Sequence, residues 1–131
     1  MKFETVIFDL DGTLLNTLDD LCDSANYVMK MFNRRSRSIE EVRNFVGNGL
    51  KELMRKCLDK DIADEETERC LAEFKKHYAM NLNNKTAPYK GIKELIVKLS
   101  SMNIKTGIVS NKADAALKSL CEIYFPQIGF A

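Results

Sequence analysis

Two aspartates near the start of the chain, Asp9 and Asp11, are close enough in sequence to belong to one catalytic or metal-binding site. They follow the apolar residues 6–8, are separated by one residue, and are followed directly by Gly12. Two carboxylates this close repel each other unless a cation lies between them, and Mg²⁺ binds such ligands together with substrate phosphate. One aspartate could then attack phosphorus while the other moves a proton. The alternative is a strand that ends in solvated acids at a turn.

The elements around these aspartates follow from the same stretch of sequence. An apolar run bounded by a turn predicts a β-strand over residues 4–10 that is buried on both faces. Such a strand would bring Asp9 and Asp11 to the carboxyl end of a parallel sheet, where open α/β folds place their active sites. In an extended strand both side chains would point the same way. Gly12 would let the chain turn sharply beyond them.

A second polar segment, Ser110, Asn111 and Lys112, follows residues 104–109, whose sequence predicts another strand. A hydroxyl, an amide and the N–H groups at a helix start are the groups that hold a phosphate. Taken alone, a Ser-Asn pair is more often an ordinary helix cap. Its place after a strand, opposite the aspartates, favours phosphate binding. Lys112 would either neutralise substrate charge or face solvent.

Between these strands the sequence predicts mainly helices. Apolar residues recur at helical spacing over about residues 17–33, and shorter patterns of the same kind follow. Ser38 and Glu41 form a capping box at the start of one of these helices. The basic segment 34–37 is predicted to be a solvated connector, or alternatively to steer an anionic substrate.

The predicted class is α/β, a Rossmann-like parallel sheet that is incomplete in this chain, with a helical domain inserted after the first strand. Residues 1–15 and 85–131 would form the core, and residues 16–84 the inserted domain. A further helical pattern, over residues 92–99, directly precedes the second predicted strand. A β-α-β crossover between parallel strands requires a helix at this place.

A glycine-rich turn, Gly47, Asn48 and Gly49, interrupts the helical insertion. Two glycines around an amide let a backbone approach a ligand closely, although a plain turn between helices has the same composition. The residues by themselves leave both interpretations open.

Composition indicates an ordinary globular protein. The 131 residues are 45% hydrophobic and 30% charged, with a formal net charge of +1, so no field of one sign would recruit nucleic acid or a membrane. The apolar runs are too short to span a bilayer, and the first residues lack a leader pattern, so we expect a cytoplasmic protein. The four widely spaced cysteines are expected to be buried free thiols. The residues do not specify an oligomeric state.

The string Asp9-x-Asp11-Gly12-Thr13 after an N-terminal strand resembles the Asp-x-Asp-x-Thr pattern of the haloacid dehalogenase-like superfamily, in particular its phosphoglycolate phosphatase-like branch. The resemblance implies that Asp9 is the nucleophile and that Asp11 is the general acid/base. It also implies that both residues help to bind Mg²⁺, Asp11 through its backbone carbonyl. Gly12 and Thr13 would belong to the phosphate-binding loop.

Ser110 is similar to the superfamily's second motif, a Ser or Thr that binds the transferring phosphoryl group, and the following Asn111 and Lys112 match the same branch. The helical insertion resembles the superfamily's cap, which lies over the active site and selects the substrate. Within it, the turn at residues 47–49 matches the cap loop that reaches toward the substrate.

The resemblance implies a Mg²⁺-dependent phosphomonoester hydrolase of a small phosphorylated metabolite such as phosphoglycolate, acting through an aspartyl-phosphate. A pyrophosphatase or a sugar-phosphate mutase of the same fold shares every motif found here. A non-catalytic phosphate- or Mg²⁺-binding module is the alternative of a different class.

Two superfamily motifs have no match in the sequence. The superfamily supplies a further lysine and then an acidic motif that completes the Mg²⁺ site, and no such acidic string follows Lys112. We therefore expect a fragment of a longer protein. A chain that pairs with another chain and a shortened descendant are the other two explanations. These residues alone are expected to be weakly active or inactive.

Overall fold

A computed structural model of the protein describes residues 4–59, 62–110, 114–126 and 128–130. Within these ranges the chain forms five short strands and six helices. The strands are β1 (Thr5–Phe8), β2 (Leu15–Asn16), β3 (Ala87–Pro88), β4 (Lys105–Ile108) and β5 (Gly129–Phe130). The helices are α1 (Leu18–Met31), α2 (Ile39–Phe45), α3 (Leu50–Leu58), α4 (Asp64–Asn81), α5 (Ile92–Ser101) and α6 (Asp114–Tyr124).

Three strands form a parallel sheet in the order β1-β4-β5. Thr5 lies opposite Lys105, and Phe8 lies opposite Ile108. The helices α1 to α4 all fall between β1 and β4 in the sequence. The predicted class, a parallel α/β sheet with a helical insertion after its first strand, is therefore confirmed.

The first strand lies within the predicted range of about residues 4–10, but the prediction that it is buried on both faces is wrong. Strand β1 ends at Phe8, none of its four residues is buried, and the Ile7 side chain is 54% exposed. In the described part of the chain, β4 is the one strand paired with β1, so β1 lies at an edge of the sheet. An apolar run shows that a strand can be buried, but its neighbours decide whether it is.

Contacts between Cα atoms divide the chain into two compact units. The first joins the segment that ends at Asn16 to the segment that begins at Ala87, and it contains all five strands with α5 and α6. The second is Thr17–Thr86 and contains α1 to α4. The roles of catalytic core and cap stay predictions.

Each unit has its own buried apolar residues, as burial of one face of every helix and strand requires. In the first unit they include Leu10, Leu14, Ile96, Ile108, Leu120 and Phe125. In the second they include Val28, Met29, Leu53, Met54, Cys57 and Phe74. Within the second unit, α1 packs against α4, and α3 also contacts α4.

The prediction that segment 34–37 is solvated is wrong for Arg37, whose side chain is 5% exposed. Its Nε and Nη2 atoms donate to the carbonyl oxygen of Cys57 at 3.0 and 2.8 Å. Nη1 donates to Glu41 at 2.9 Å, and Nη2 donates to Asp59 at 2.8 Å. The last carbonyls of a helix lack partners within the helix, and Arg37 supplies donors to one of them at the end of α3. The alternative role for this residue, steering of an anionic substrate, does not fit a buried guanidinium. Arg35 is exposed, as predicted.

Two smaller predictions are confirmed. Ser38 and Glu41 form a capping box at the start of α2, in which each side chain accepts from the other residue's backbone N–H. All four cysteines, Cys22, Cys57, Cys70 and Cys121, are buried and free. Burial raises the pKa of the Cys57 thiol to about 12, since a thiolate loses solvation inside the protein.

In the parts of the chain that the structure describes, no helix combines the length and the apolar character needed to cross a membrane.

Candidate active site

Asp9 and Ser110 lie at the same edge of the parallel sheet. Because β1 and β4 run in the same direction with Phe8 opposite Ile108, the segments that follow them leave the sheet side by side. The N–H of Val109 continues the ladder by donating to the carbonyl of Phe8 at 2.9 Å. Asp9 is the first residue after β1, and Ser110 is the second after β4.

Both residues line one open cleft of about 310 Å³, together with Ile7, Phe8 and Val109. Asp9 is exposed and Ser110 is half-buried. The cleft therefore has polar groups from two strand ends and apolar side chains beside them. The structure brings these two candidate residues together within the first unit.

The Asp9 carboxylate is oriented by its own neighbour. The N–H of Leu10 donates to Oδ1 of Asp9 at 2.8 Å. This hydrogen bond restricts rotation of the carboxylate, while the exposure of the residue keeps the group accessible.

Asp11 does not continue an extended strand with Asp9. Strand β1 ends at Phe8, and Asp11 is half-buried in the following turn, where it forms an isolated bridge with Leu15. Strand geometry therefore does not set the relation between the two carboxylates, because Asp11 lies beyond the strand in a tight turn.

This turn is built on the carbonyl of the fully buried Leu10. That oxygen accepts from the N–H groups of Thr13, Leu14 and Leu15 at 3.3, 3.0 and 3.0 Å, and the N–H of Gly12 donates to the Leu15 carbonyl at 2.9 Å. Gly12 has φ +78°, a conformation that side chains with a Cβ rarely adopt. Gly12 and Thr13 are exposed, and their backbone N–H groups already donate within the turn. A phosphate contact from Thr13 would therefore come from its hydroxyl.

Two predicted phosphate-binding residues, Asn111 and Lys112, lie outside the described residues. Their assignment stays a prediction made from the sequence.

Asp9 and Asp11 are the candidate metal ligands. Within the described ranges, no group of three or more His, Cys, Asp or Glu side chains is placed to hold a metal ion. Mg²⁺ is often held by one or two protein carboxylates, with waters and substrate phosphate completing its shell. An exposed carboxylate at a strand end with a second acid two residues on fits that kind of site.

The glycine-rich turn at Gly47, Asn48 and Gly49 belongs to the second unit, between α2 and α3. The two glycines have φ +117° and +91°, and a Cβ on either would meet no atom within 4 Å. These glycines therefore serve the backbone conformation rather than a crowded packing site. Their predicted contact with a substrate stays a prediction.

Sequence reasoning missed one residue of interest, the buried Asp20 in the first turn of α1. An acid in the first turn of a helix is ordinarily a solvated partner of the helix dipole, so the sequence carries no signal of its burial.

Comparison with known proteins matches residues 6–124 to the family model of haloacid dehalogenase-like hydrolases. A phosphoglycolate phosphatase from Mannheimia succiniciproducens is 34% identical over 118 residues, which are 85% of this chain and 53% of that protein. One from Thiobacillus denitrificans is 29% identical over 118 residues, which are 87% of this chain and 52% of that protein.

Among solved structures, a predicted phosphoglycolate phosphatase from Haemophilus somnus has a TM-score of 0.92 to this chain at 27% identity. The match covers 99% of this chain and 62% of that one. The chain thus spans about half the length of the curated relatives it matches.

Proposed function

Because the chain belongs to the haloacid dehalogenase-like hydrolase family, we propose that it takes part in Mg²⁺-dependent hydrolysis of a small phosphomonoester similar to phosphoglycolate. The observation that carries the proposal is the meeting of Asp9 and Ser110 in one cleft at the carboxyl edge of the sheet. Open α/β sheets bind ligands at this edge.

Asp9 is the proposed nucleophile. One of its carboxylate oxygens forms a bond to phosphorus while the bond from phosphorus to the ester oxygen breaks, which leaves an aspartyl-phosphate. The Leu10 N–H on Oδ1 holds the carboxylate in one orientation for this attack. Exposure of Asp9 gives the substrate access.

Asp11 is the proposed general acid and base. In the first step it gives a proton to the departing ester oxygen, and in the second it takes a proton from the water that attacks phosphorus. The second step breaks the bond from Asp9 oxygen to phosphorus, releases inorganic phosphate and restores the Asp9 carboxylate. The turn built on the Leu10 carbonyl fixes the backbone on both sides of Asp11.

Hydroxyl groups from both strand ends are proposed to bind the phosphoryl oxygens. Ser110 follows β4 and Thr13 lies in the turn after β1, so the two would approach the group from different sides. Asn111, Lys112 and the Gly12 turn belong to the same proposed phosphate site. Donors aimed at the oxygens where charge develops lower the barrier to phosphoryl transfer.

Asp9 and Asp11 would hold the Mg²⁺ ion. When bound, the ion supplies positive charge that offsets the repulsion between carboxylate and phosphate. The second unit is the proposed cap, and its turn at residues 47–49 is the proposed substrate contact. A lid that excludes water protects an aspartyl-phosphate from premature hydrolysis.

The test is Mg²⁺-dependent phosphate release from phosphoglycolate and p-nitrophenyl phosphate by the chain extended with the remaining segment of a curated relative, and by the Asp9→Asn variant of that extended chain. We expect the variant to lose roughly a thousandfold or more in turnover, because an amide is a poor nucleophile. Asp64→Asn is the matched control, since the Asp64 side chain is 84% exposed. It should keep full activity.

Equal activity of the extended chain and its Asp9→Asn variant would overturn the proposed nucleophile. Absence of turnover in a folded extended chain that still binds phosphate and Mg²⁺ would instead favour the non-catalytic binding module. Titration calorimetry with each ligand distinguishes these outcomes.

A further inference from the structure

We propose that Asp20 is a positioning residue that locks Lys85 and Thr86, the last two residues of the second unit, onto the first turn of helix α1. The lock is a property of the second unit by itself. Its effect on catalysis rests on the function proposed above.

The Asp20 carboxylate accepts hydrogen bonds from Lys85 and Thr86. The residue is 2% exposed, yet its carboxylate has donors on both oxygens. The backbone N–H of Lys85 lies 3.1 Å from Oδ1 and 2.9 Å from Oδ2, and the hydroxyl of Thr86 donates to Oδ2 at 2.7 Å. Hydrogen bonds to an ionised carboxylate are about twice as strong as those between neutral groups.

Asp20 and Thr86 lie near the two ends of the second unit in the sequence. Asp20 lies in the first turn of α1, directly after the chain enters the second unit, and Thr86 is the last residue before the chain leaves it. The N-terminus of α1 also favours a negative charge at this position. The carboxylate thus ties the exit segment to the entry helix across 65 positions of sequence.

A second tie lies on the side of the first unit. There Asn16 pairs with Ala87, and Leu15 pairs with Pro88, in the antiparallel ladder of β2 and β3. The chain that enters the second unit and the chain that leaves it are therefore hydrogen-bonded to each other on both sides of the boundary at residues 86 and 87.

A neighbouring acid provides a contrast within the same segment. Asp23 pairs with Nζ of Lys85 at 2.8 Å, but the two side chains are 51% and 58% exposed. Exposed ion pairs of this kind contribute little to stability because water and salt screen them. Asp23 therefore contacts the same lysine without locking its backbone.

Amide hydrogen exchange of Lys85 tests the lock directly, since this N–H is the group that Asp20 binds. We expect exchange about tenfold faster in Asp20→Asn, which corresponds to roughly 1.4 kcal/mol of local opening. Asp23→Asn removes an equal charge near the same lysine and should leave the rate within about twofold. Amides in the middle of α1 and α4 should exchange as in the unaltered protein.

A second variant covers the case in which Asp20→Asn does not fold. Thr86→Val keeps the shape of the side chain and removes one donor to Oδ2, and it should speed Lys85 exchange by a smaller factor. Unchanged Lys85 exchange in both variants would overturn the lock. Equal acceleration of every amide in the second unit would also overturn it, because Asp20 would then be a general stabiliser.

Activity supplies a separate readout. If phosphate release is measurable, Asp20→Asn should lower kcat/KM while Asp23→Asn should not. The exchange experiment does not depend on any activity, so failure of the proposed function and failure of the lock are distinguishable.

Discussion

The carboxylate of Glu41 shows how strongly a local arrangement can set the properties of one residue. The N–H of Ser38 donates to Oε1 at 3.0 Å, and Nη1 of Arg37 donates to Oε2 at 2.9 Å. These bonds, the Ser38 N–H foremost, lower the pKa of Glu41 from about 4.5 to about 2. The capping box and the buried arginine therefore meet on one side chain.

This lowered pKa predicts a specific dependence of stability on pH. A carboxylate with a lower pKa in the folded state stabilises that state above pH 4.5, and the contribution is lost as the pH falls toward 2. We expect the melting temperature of the protein to exceed that of Glu41→Gln by a constant amount above about pH 5. The difference should shrink between about pH 4.5 and 2. Thermal melts of both proteins across this range measure it, and a pH-independent difference would contradict the prediction.

At the scale of elements, Arg37 connects three parts of the helical unit. Its guanidinium binds the Cys57 carbonyl near the end of α3, Asp59 directly after that helix, and Glu41 in α2. Arg35 lies two residues earlier, is 67% exposed, and contacts Glu41 at 3.4 Å. The two arginines differ in burial rather than in chemistry.

We expect Arg37→Met to lower the free energy of unfolding by about 2–3 kcal/mol, because the Cys57 carbonyl loses both of its Arg37 donors. Arg35→Ala should cost less than about 0.5 kcal/mol, as for other exposed pairs. Urea unfolding followed by helical circular dichroism gives both values. Similar losses for the two variants would show that burial of Arg37 does not matter.

The sequence allowed the main elements to be predicted where their pattern is local. Helix α1 was predicted because Leu21, Ala25 and Val28 recur at helical spacing, and all three are buried. Elements that depend on distant partners were beyond such reasoning. The two-residue strands β2 and β3 are too short to show a period, and the burial of Arg37 depends on a carbonyl 20 positions away.

The candidate site was predictable to a similar degree. Topology alone places the ends of two parallel strands together, so the meeting of Asp9 and Ser110 followed from sequence. The path from Asp9 to Asp11 did not, because it depends on the turn that closes on the Leu10 carbonyl. Asp20 gave no signal, since its partners come 65 and 66 positions later.

At the scale of the whole molecule, we expect the 131 residues alone to release phosphate slowly or not at all. The sequence has no match to the superfamily's further lysine and acidic motif, and in the described residues no three ligands cluster for a metal. Turnover of p-nitrophenyl phosphate should appear when the chain is extended by the remaining segment of a curated relative. Asp9→Asn in the extended chain is the control. Robust Mg²⁺-dependent turnover by the 131 residues would contradict this expectation.

The pairing of Thr5 with Lys105 also determines when β1 can join the sheet during synthesis, because β1 is made before its partner strand β4. Lys105 is made one hundred positions after Thr5, an interval of roughly 5–20 s at about 5–20 residues per second. Helices α1 to α4 are synthesised within that interval, and their local contacts form quickly. During that interval β1, which contains Ile7 and is followed by the two aspartates, cannot pair with β4. In a growing chain the helical unit is therefore complete first, and the candidate active site is assembled only when β4 arrives.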